Sequence, residues 1–283
     1  DRWLGFELSR KLWDRFKIKT LSAGRVQTPV LGWIIERYRE NKNKKTLLYI
    51  VLENGLEVVF ENPSTLELIL DKYKHGELKA LVKDLREEVT EVQPLPPYTT
   101  DSPLKDAFTQ LGLPVTEVMK LAQDLFESGL ITYHRTDATT VSSVGLSVAK
   151  EYIETMNLGV STPRTYWKEG AHECIRPVKP IDVNKLSQYI RIGLIKPSAK
   201  LTTSHLRLYD LIFRRFIASQ LPSAKVLVQR YKVVVNGLEV DVDKNVEIIE
   251  PGFNKVFSII RAGRRVTEGE YNIKHIEVKK IPA

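Results

Sequence analysis

The sequence predicts an α+β fold in which one β domain is assembled from two distant stretches of chain, with a helical domain inserted between them. Three observations carry this prediction. Apolar residues recur at helical spacing through the first 45 residues. A strand, Asn-Gly, strand pattern occurs twice, around Asn54-Gly55 and again around Asn236-Gly237. Between the two lies a long stretch, opened by Pro94-Leu95-Pro96-Pro97, whose periodicity is helical.

The elements follow in order. Leu4, Leu8, Leu12, Trp13 and Phe16 predict a first helix. Val30, Leu31, Ile34, Ile35 and Tyr38 predict a second, ending at Glu40, with Ser22 or Thr28 as cap and Pro29 in the first turn. Leu47 to Glu53 and Leu56 to Phe60 read as a hairpin, residues 64–75 as a short helix, and Leu78 to Val92 as one or two strands. Ser102, with Pro103 behind it, is expected to cap the next helix, and Thr116 another that stops at Gly129. Leu130 to Tyr133 reads as a short strand, so that residues 102–133 have the order of a small helix-turn-helix-like unit. Ser142 or Ser143 opens a helix to about Met156, Asp182 one more, and Ser204 a long one to Gln220. Strands are expected at Val226 to Val235, Leu238 to Val242, Val246 to Ile249 and Val256 to Ile260.

Composition narrows the function classes. The 283 residues are 42% hydrophobic and 28% charged, the mixture of a folded chain. The net charge of +8 favours an anionic partner such as nucleic acid. A single cysteine, Cys174, excludes an internal disulfide framework and a four-cysteine zinc site, and fits a reducing, cytoplasmic setting. No apolar run reaches the roughly 18 residues of a membrane span, so no membrane partner is expected. The first residue is Asp rather than Met, which gives the expectation that the chain begins part-way through a larger protein.

Three segments can carry chemistry. In Thr132-Tyr133-His134-Arg135-Thr136-Asp137, an extended backbone places Arg135 on the same side as Tyr133. A phenol, whose pKa is about 10, needs such a cation to act as a nucleophile at neutral pH, and the guanidinium can also bind the phosphate under attack. An ordinary half-buried tyrosine is the competing reading. In Ala171-His172-Glu173-Cys174-Ile175-Arg176-Pro177, His172 can protonate a leaving oxygen or donate to a phosphate while Glu173 or a backbone carbonyl orients it, or can simply be satisfied within its loop. Ser22-Ala23-Gly24-Arg25-Val26-Gln27-Thr28, at a helix start, offers free N–H groups and an arginine to a phosphate, or is a tight turn with a solvated arginine. Asp241-Val242-Asp243 has the look of a Mg²⁺ pair but reads as a surface turn, and no metal site is expected. Tyr166, Trp167 and Tyr189 can stack on bases, and Arg207, Arg214 and Arg215 lie on a helix that can track a nucleic-acid backbone.

Taken together, Leu21 to Pro29, Gly129 to Asp137 and Ala171 to Pro177 resemble the type IA DNA topoisomerases, and most closely the topoisomerase part of reverse gyrases. Weaker similarity runs through Pro96 to Thr100 and Tyr209 to Phe216. His134, where many bacterial relatives carry Met, and Leu31 to Tyr38 tilt the resemblance toward reverse gyrase. Ala138 departs from the usual Ser, and Cys174 from the usual Ala.

The resemblance implies the gate and arch region of a toroidal enzyme. Residues 1–45 would be the helical part of its single-strand-binding domain and 46–94 the first part of a discontinuous β arch. Residues 95–203 would be an inserted, winged-helix-like gate carrying the nucleophile, and 204–283 the second part of the arch. Tyr133 would attack a single-strand phosphodiester and hold the 5′ phosphate, with Arg135 and His172 as its catalytic partners. Arg25, Gln27, Thr132, Thr136, Asp137, Glu173 and Arg176 would contact DNA. The partners implied are single-stranded DNA together with Toprim and helicase-like modules of the same protein or of a partner subunit. No cofactor is expected within this chain. Mg²⁺ would come from the Toprim domain and ATP would act only through the helicase module, so the chain alone is expected to cleave poorly or not at all. A topoisomerase I or III without gyrase activity, or a single-strand-binding module that never cleaves, remains the alternative. A rolling-circle relaxase is disfavoured because no His-x-His pair occurs, and a tyrosine recombinase because Tyr133 precedes His172.

Overall fold

Helical periodicity in the first forty residues produces α1 (Arg2–Phe16) and α2 (Gln27–Glu40), seen in a computed structural model that describes residues 2–42, 44–167 and 172–282. Asp1 and Ala171, both singled out in the sequence, fall outside the described residues. The fold is α+β, with eight α-helices and a six-stranded antiparallel sheet among the described residues.

The chain divides into two units. The first comprises Asp1–Leu85, Arg230–Val242 and Thr267–Ala283. The Asn54-Gly55 turn, with Gly55 at φ +81°, joins β1 (Lys44–Leu52) to β2 (Glu57–Glu61). Their register sets Leu48 opposite Phe60 and Ile50 opposite Val58, which buries all four residues. α3 (Leu66–Lys74) adds Ile69 to this core. β3 (Lys79–Val92), β4 (Ala224–Val235) and β5 (Leu238–Glu250) each contribute residues to both units. β6 (Gly269–Pro282) pairs with β1 on one side and β3 on the other, giving the order β2-β1-β6-β3-β4-β5. The sheet therefore takes strands from both ends of the sequence.

The second unit comprises Arg86–Gln229 and Asp243–Val266. It contains α4 (Asp101–Leu111), α5 (Val115–Glu127), α6 (Ser143–Thr155), α7 (Val183–Arg191) and α8 (Thr203–Ser219). α8 is its central element and touches the other four helices. Leu208, Tyr209, Ile212, Phe213 and Phe216 are buried on it, with Phe213 edge-on to Tyr152 at 4.7 Å. Each such side chain contributes about 1.5–3 kcal/mol by leaving water. His205 bonds Asp124 at 3.1 Å, which ties α8 to α5.

The structure corrects several expectations, each for a local reason. Caps sit at Val26, Thr100, Pro114 and Thr202 rather than at Thr28, Ser102, Thr116 and Ser204. Ser102 instead receives the Thr99 N–H, and His205 accepts from the Thr202 N–H. Ser142 and Asp182 do cap α6 and α7, accepting from Gly145 and Lys185. Leu130 to Tyr133 is no strand but a single bridge from Ile131 to Pro177, because proline has no N–H with which to extend a ladder. Asp241-Val242-Asp243 lies inside β5 rather than in a turn, and β5 continues through the segment read as a separate strand. Val256 to Ile260 does not extend. A 3₁₀ turn at Gly252–Lys255 precedes it, and the Asn254 side-chain oxygen Oδ1 accepts from the Ile259 and Ile260 N–H groups, curling the loop.

That 3₁₀ turn depends on one glycine. Gly252 has φ +47°, and a Cβ there would meet the Ser223 and Pro222 carbonyl oxygens well inside contact distance. Gly252→Ala is expected to lower the unfolding free energy by about 2–3 kcal/mol, read from urea denaturation. An unchanged midpoint would show that the turn relaxes freely.

Candidate active site

The segment bearing Tyr133 begins where α5 stops. Gly129, at φ +67°, turns the chain, with its N–H on the Phe126 carbonyl and the Leu130 N–H on that of Leu125. Leu130 and Ile131 then anchor it in the core. From Tyr133 to Ala138 the side chains alternate: Tyr133, Arg135 and Asp137 are exposed, while His134, Thr136 and Ala138 are buried. Exposure thus alternates with a period of two, although the backbone bends at His134 and Arg135 and forms no ladder. Ala138, the departure from the usual Ser, is one of the buried residues.

Two neighbouring segments fix this one. Thr100 exchanges backbone bonds with Thr136: its N–H donates to the Thr136 carbonyl at 2.7 Å, and its hydroxyl accepts the Thr136 N–H at 2.8 Å. That hydroxyl also reaches the carbonyl oxygens of His134 and Thr136. On the other side, the Thr132 hydroxyl donates to the Cys174 carbonyl at 2.7 Å, and the Thr132 N–H to that of Arg176 at 2.9 Å. Tyr98 bridges Ile175. The stretch Pro96 to Thr100 thus links the tyrosine segment to the histidine segment.

The two functional rings meet. Tyr133, 36% exposed, has its ring centroid 5.1 Å from that of His172 and 5.3 Å from Phe126, which stands edge-on to it. His172 is exposed, and beneath it lies a brace. Arg176 is buried and donates from Nε and Nη2 to the two Glu173 oxygens at 2.9 and 2.8 Å, and from Nη1 to the Pro177 carbonyl. Ser142 donates its hydroxyl to Glu173 at 2.7 Å. Burial pushes the Glu173 carboxyl up, but the bonds from Arg176 and Ser142 outweigh it and hold the carboxyl below the ordinary range. Gly145 makes room for the guanidinium, since a Cβ there would lie 2.8 Å from Nε. Beside the brace, burial pushes the Cys174 thiol up to about 12, which leaves it inert.

His134 is 1% exposed, lies 5.6 Å from the Tyr133 ring and 6.0 Å from that of Phe126, and neither ring nitrogen has a hydrogen-bond partner among the described residues. Burial, followed by the Arg135 charge, lowers its pKa, with Glu127 opposing weakly. The native state therefore refuses a proton that the unfolded chain accepts near pH 6.5, so stability is lost as pH falls below about 6.5. His134→Met keeps the packing and is expected to remove this acid-sensitive component, read as the shift in urea midpoint between pH 7 and pH 5. An equal shift in the variant would place the acid sensitivity elsewhere.

Arg25 and Gln27 belong to the first unit, whereas Tyr133, Arg135, His172 and the other predicted site residues belong to the second. The stretch before α2 is pinned to α1: Trp13 Nε1 donates to the Leu21 carbonyl and the Ala23 N–H to the Ser9 hydroxyl. Arg25 and Gln27 are exposed, and Gln27 accepts the Ser22 hydroxyl at 3.0 Å. The α2 N-terminus has no side-chain cap.

Residues 1–281 match the family described as DNA topoisomerase. The chain belongs to the type IA DNA topoisomerases. It is 45% identical to the reverse gyrase of Pyrococcus furiosus over 99% of its own length, and 44% identical to that of Pyrobaculum aerophilum over 92%. It spans 22% and 21% of those two relatives. Full-length topoisomerase I from Thermotoga maritima superposes on it with a TM-score of 0.68 at 25% identity, covering 99% of this chain and 48% of that one. Within this type IA domain, sequence reasoning singled out Tyr133, Arg135 and His172 but not their supports. Thr100 appeared only as part of a similar stretch and Ser142 only as a cap, and Phe126 was not singled out at all. Among the described residues no three His, Cys, Asp or Glu side chains are grouped to hold a metal, and no helix is long and apolar enough to cross a membrane.

Proposed function

We propose that this type IA topoisomerase domain supplies the nucleophile for transient cleavage of single-stranded DNA. The observation that carries the reading is the approach of the Tyr133 and His172 rings to 5.1 Å, with Arg135 exposed two residues beyond the phenol. The Tyr133 oxygen forms a bond to phosphorus as the bond to the 3′ oxygen breaks. The phenol proton is given up and the 3′ oxygen takes one, so one phosphodiester replaces another and resealing needs no external energy. Arg135 neutralises charge on the attacked phosphate. His172, held by the backbone around Glu173 and Arg176, donates to the same phosphate or to the departing oxygen.

Glu173, Arg176, Thr132 and Thr136 have their polar groups engaged inside the unit, and we assign them to positioning rather than to DNA contact. Asp137, exposed beside Arg135, and Arg25 and Gln27, from the first unit, are proposed to touch the strand. The described residues do not form a metal cage, and Mg²⁺ is assigned to a Toprim domain elsewhere in the full-length protein, which the family implies. In that protein the second unit would act as the gate of a ring, its helices as a winged-helix-like module, and strand passage would be coupled to ATP and positive supercoiling as in reverse gyrase.

The test uses the full-length protein with 3′-labelled single-stranded DNA and Mg²⁺. Covalent transfer of the label, followed by digestion, is expected to yield a nucleotide-bearing peptide that contains Tyr133. Label on any other residue would overturn the assignment.

A further inference from the structure

Three aromatics of the helical unit were candidates for stacking on bases, and the structure separates them. Tyr189 is half-buried and pairs with Lys185. The Tyr166 hydroxyl donates to the Ser219 carbonyl at 3.1 Å, and burial raises its pKa. Trp167, the next residue, is 76% exposed.

The stem beneath Trp167 is pinned from two sides. The Arg164 guanidinium donates to the carbonyls of Ser219 and Leu221 at 3.0 and 2.7 Å, at the end of α8. The Arg164 N–H and carbonyl pair with the Gln220 side-chain amide. Facing the catalytic segment, the Thr139 hydroxyl donates to the Tyr166 carbonyl at 3.1 Å and the Val141 N–H to that of Thr165 at 2.8 Å. Tyr166 itself sits at φ +45°, a conformation that persists only where its surroundings over-determine it. Single exposed apolar residues are ordinary. A large ring raised into water directly after so fixed a stem is pre-organised for a flat apolar partner, because its placement is settled before binding.

Distance names the partner. Trp167 and His172 are five positions apart in the chain, so their Cα atoms lie at most about 18 Å apart. The Trp167 backbone is bonded through Tyr166 to Thr139, six residues beyond Tyr133. At about 3.4 Å per stacked nucleotide, the indole is within about five nucleotides of the phosphate that Tyr133 attacks. We propose that Trp167 is a stacking platform for one base of the single strand, a subsite that grips without reading base identity. The inference rests on the cleavage reading for its substrate and on the pinned stem for its site.

Binding to fluorescein-labelled oligonucleotides, each with one abasic site moved along the strand, tests it. With the wild-type protein one abasic position within about five nucleotides of the cleavage point is expected to weaken binding about tenfold. Trp167→Ala is expected to weaken binding to the intact strand by a similar factor and to abolish the penalty of that position, while Trp167→Phe stays within about threefold of wild type. Covalent adduct at Tyr133 together with unchanged Trp167→Ala binding, or a penalty that survives in Trp167→Ala, overturns the subsite and leaves cleavage standing. A Trp167-dependent abasic penalty without any adduct supports the subsite and overturns the nucleophile assignment instead.

Discussion

Tyr133→Phe is expected to abolish the covalent adduct, lowering cleavage by at least about a thousandfold, while single-strand affinity stays within about twofold of wild type. The phenylalanine keeps the edge-on contact with Phe126 and the approach to His172, so the packing of the site is conserved and only the attacking oxygen is lost. Quantifying label transfer in the full-length protein beside anisotropy binding separates the two effects. Adduct that persists in the variant would mean that a residue other than Tyr133 is the nucleophile.

Arg176→Met is the second large effect. Removing the guanidinium strips Glu173 of two charged bonds and leaves a mostly buried carboxylate with Ser142 as its remaining side-chain partner. Breaking one side of a buried pair costs about 3–5 kcal/mol, and the partial exposure of Glu173 points to about 2–3 kcal/mol here. Cleavage is expected to fall by about ten- to a hundredfold, since the loop that presents His172 is no longer held. Pairing the change with Glu173→Gln should restore much of the stability. The decisive comparison is salt dependence. A positioning role leaves the slope of binding against salt unchanged, whereas a role on DNA phosphate lowers it by about one. Undiminished stability with a shallower slope would return Arg176 to the DNA.

The exposure of Tyr133 and Arg135 was legible because it follows a period of two residues. In an extended segment Arg135 falls on the side of Tyr133, and here both are exposed although the backbone bends between them and forms no strand. Ser142 and Asp182 were legible as caps because each is a side-chain acceptor standing directly before its helix. Where hydroxyls crowd, as at Thr99, Thr100 and Ser102 or at Thr202, Thr203 and Ser204, composition alone does not say which one ends the helix, and tertiary partners decide. β6 escaped notice for a different reason. The register of β1 against β6 slips between Leu52, opposite Ile273, and Val51, opposite His275. The slip shifts the apolar alternation from Tyr271 and Ile273 to Ile276 and Val278, so no single period of two runs through the strand. Thr100 was invisible as a clamp because its partners are the backbone of residues 36 positions away.

The alternation from Tyr133 to Ala138 also constrains how this segment can diverge. Adding or deleting one residue inside it would exchange the faces of everything downstream, turning a guanidinium inward and a hydrophobic methyl outward, while the Thr100 clamp would grip the wrong carbonyl. Substitution one position at a time is survivable at several of these sites. A change in length is not, so among descendants of this gene the spacing from 133 to 138 should outlast the identity of most residues within it.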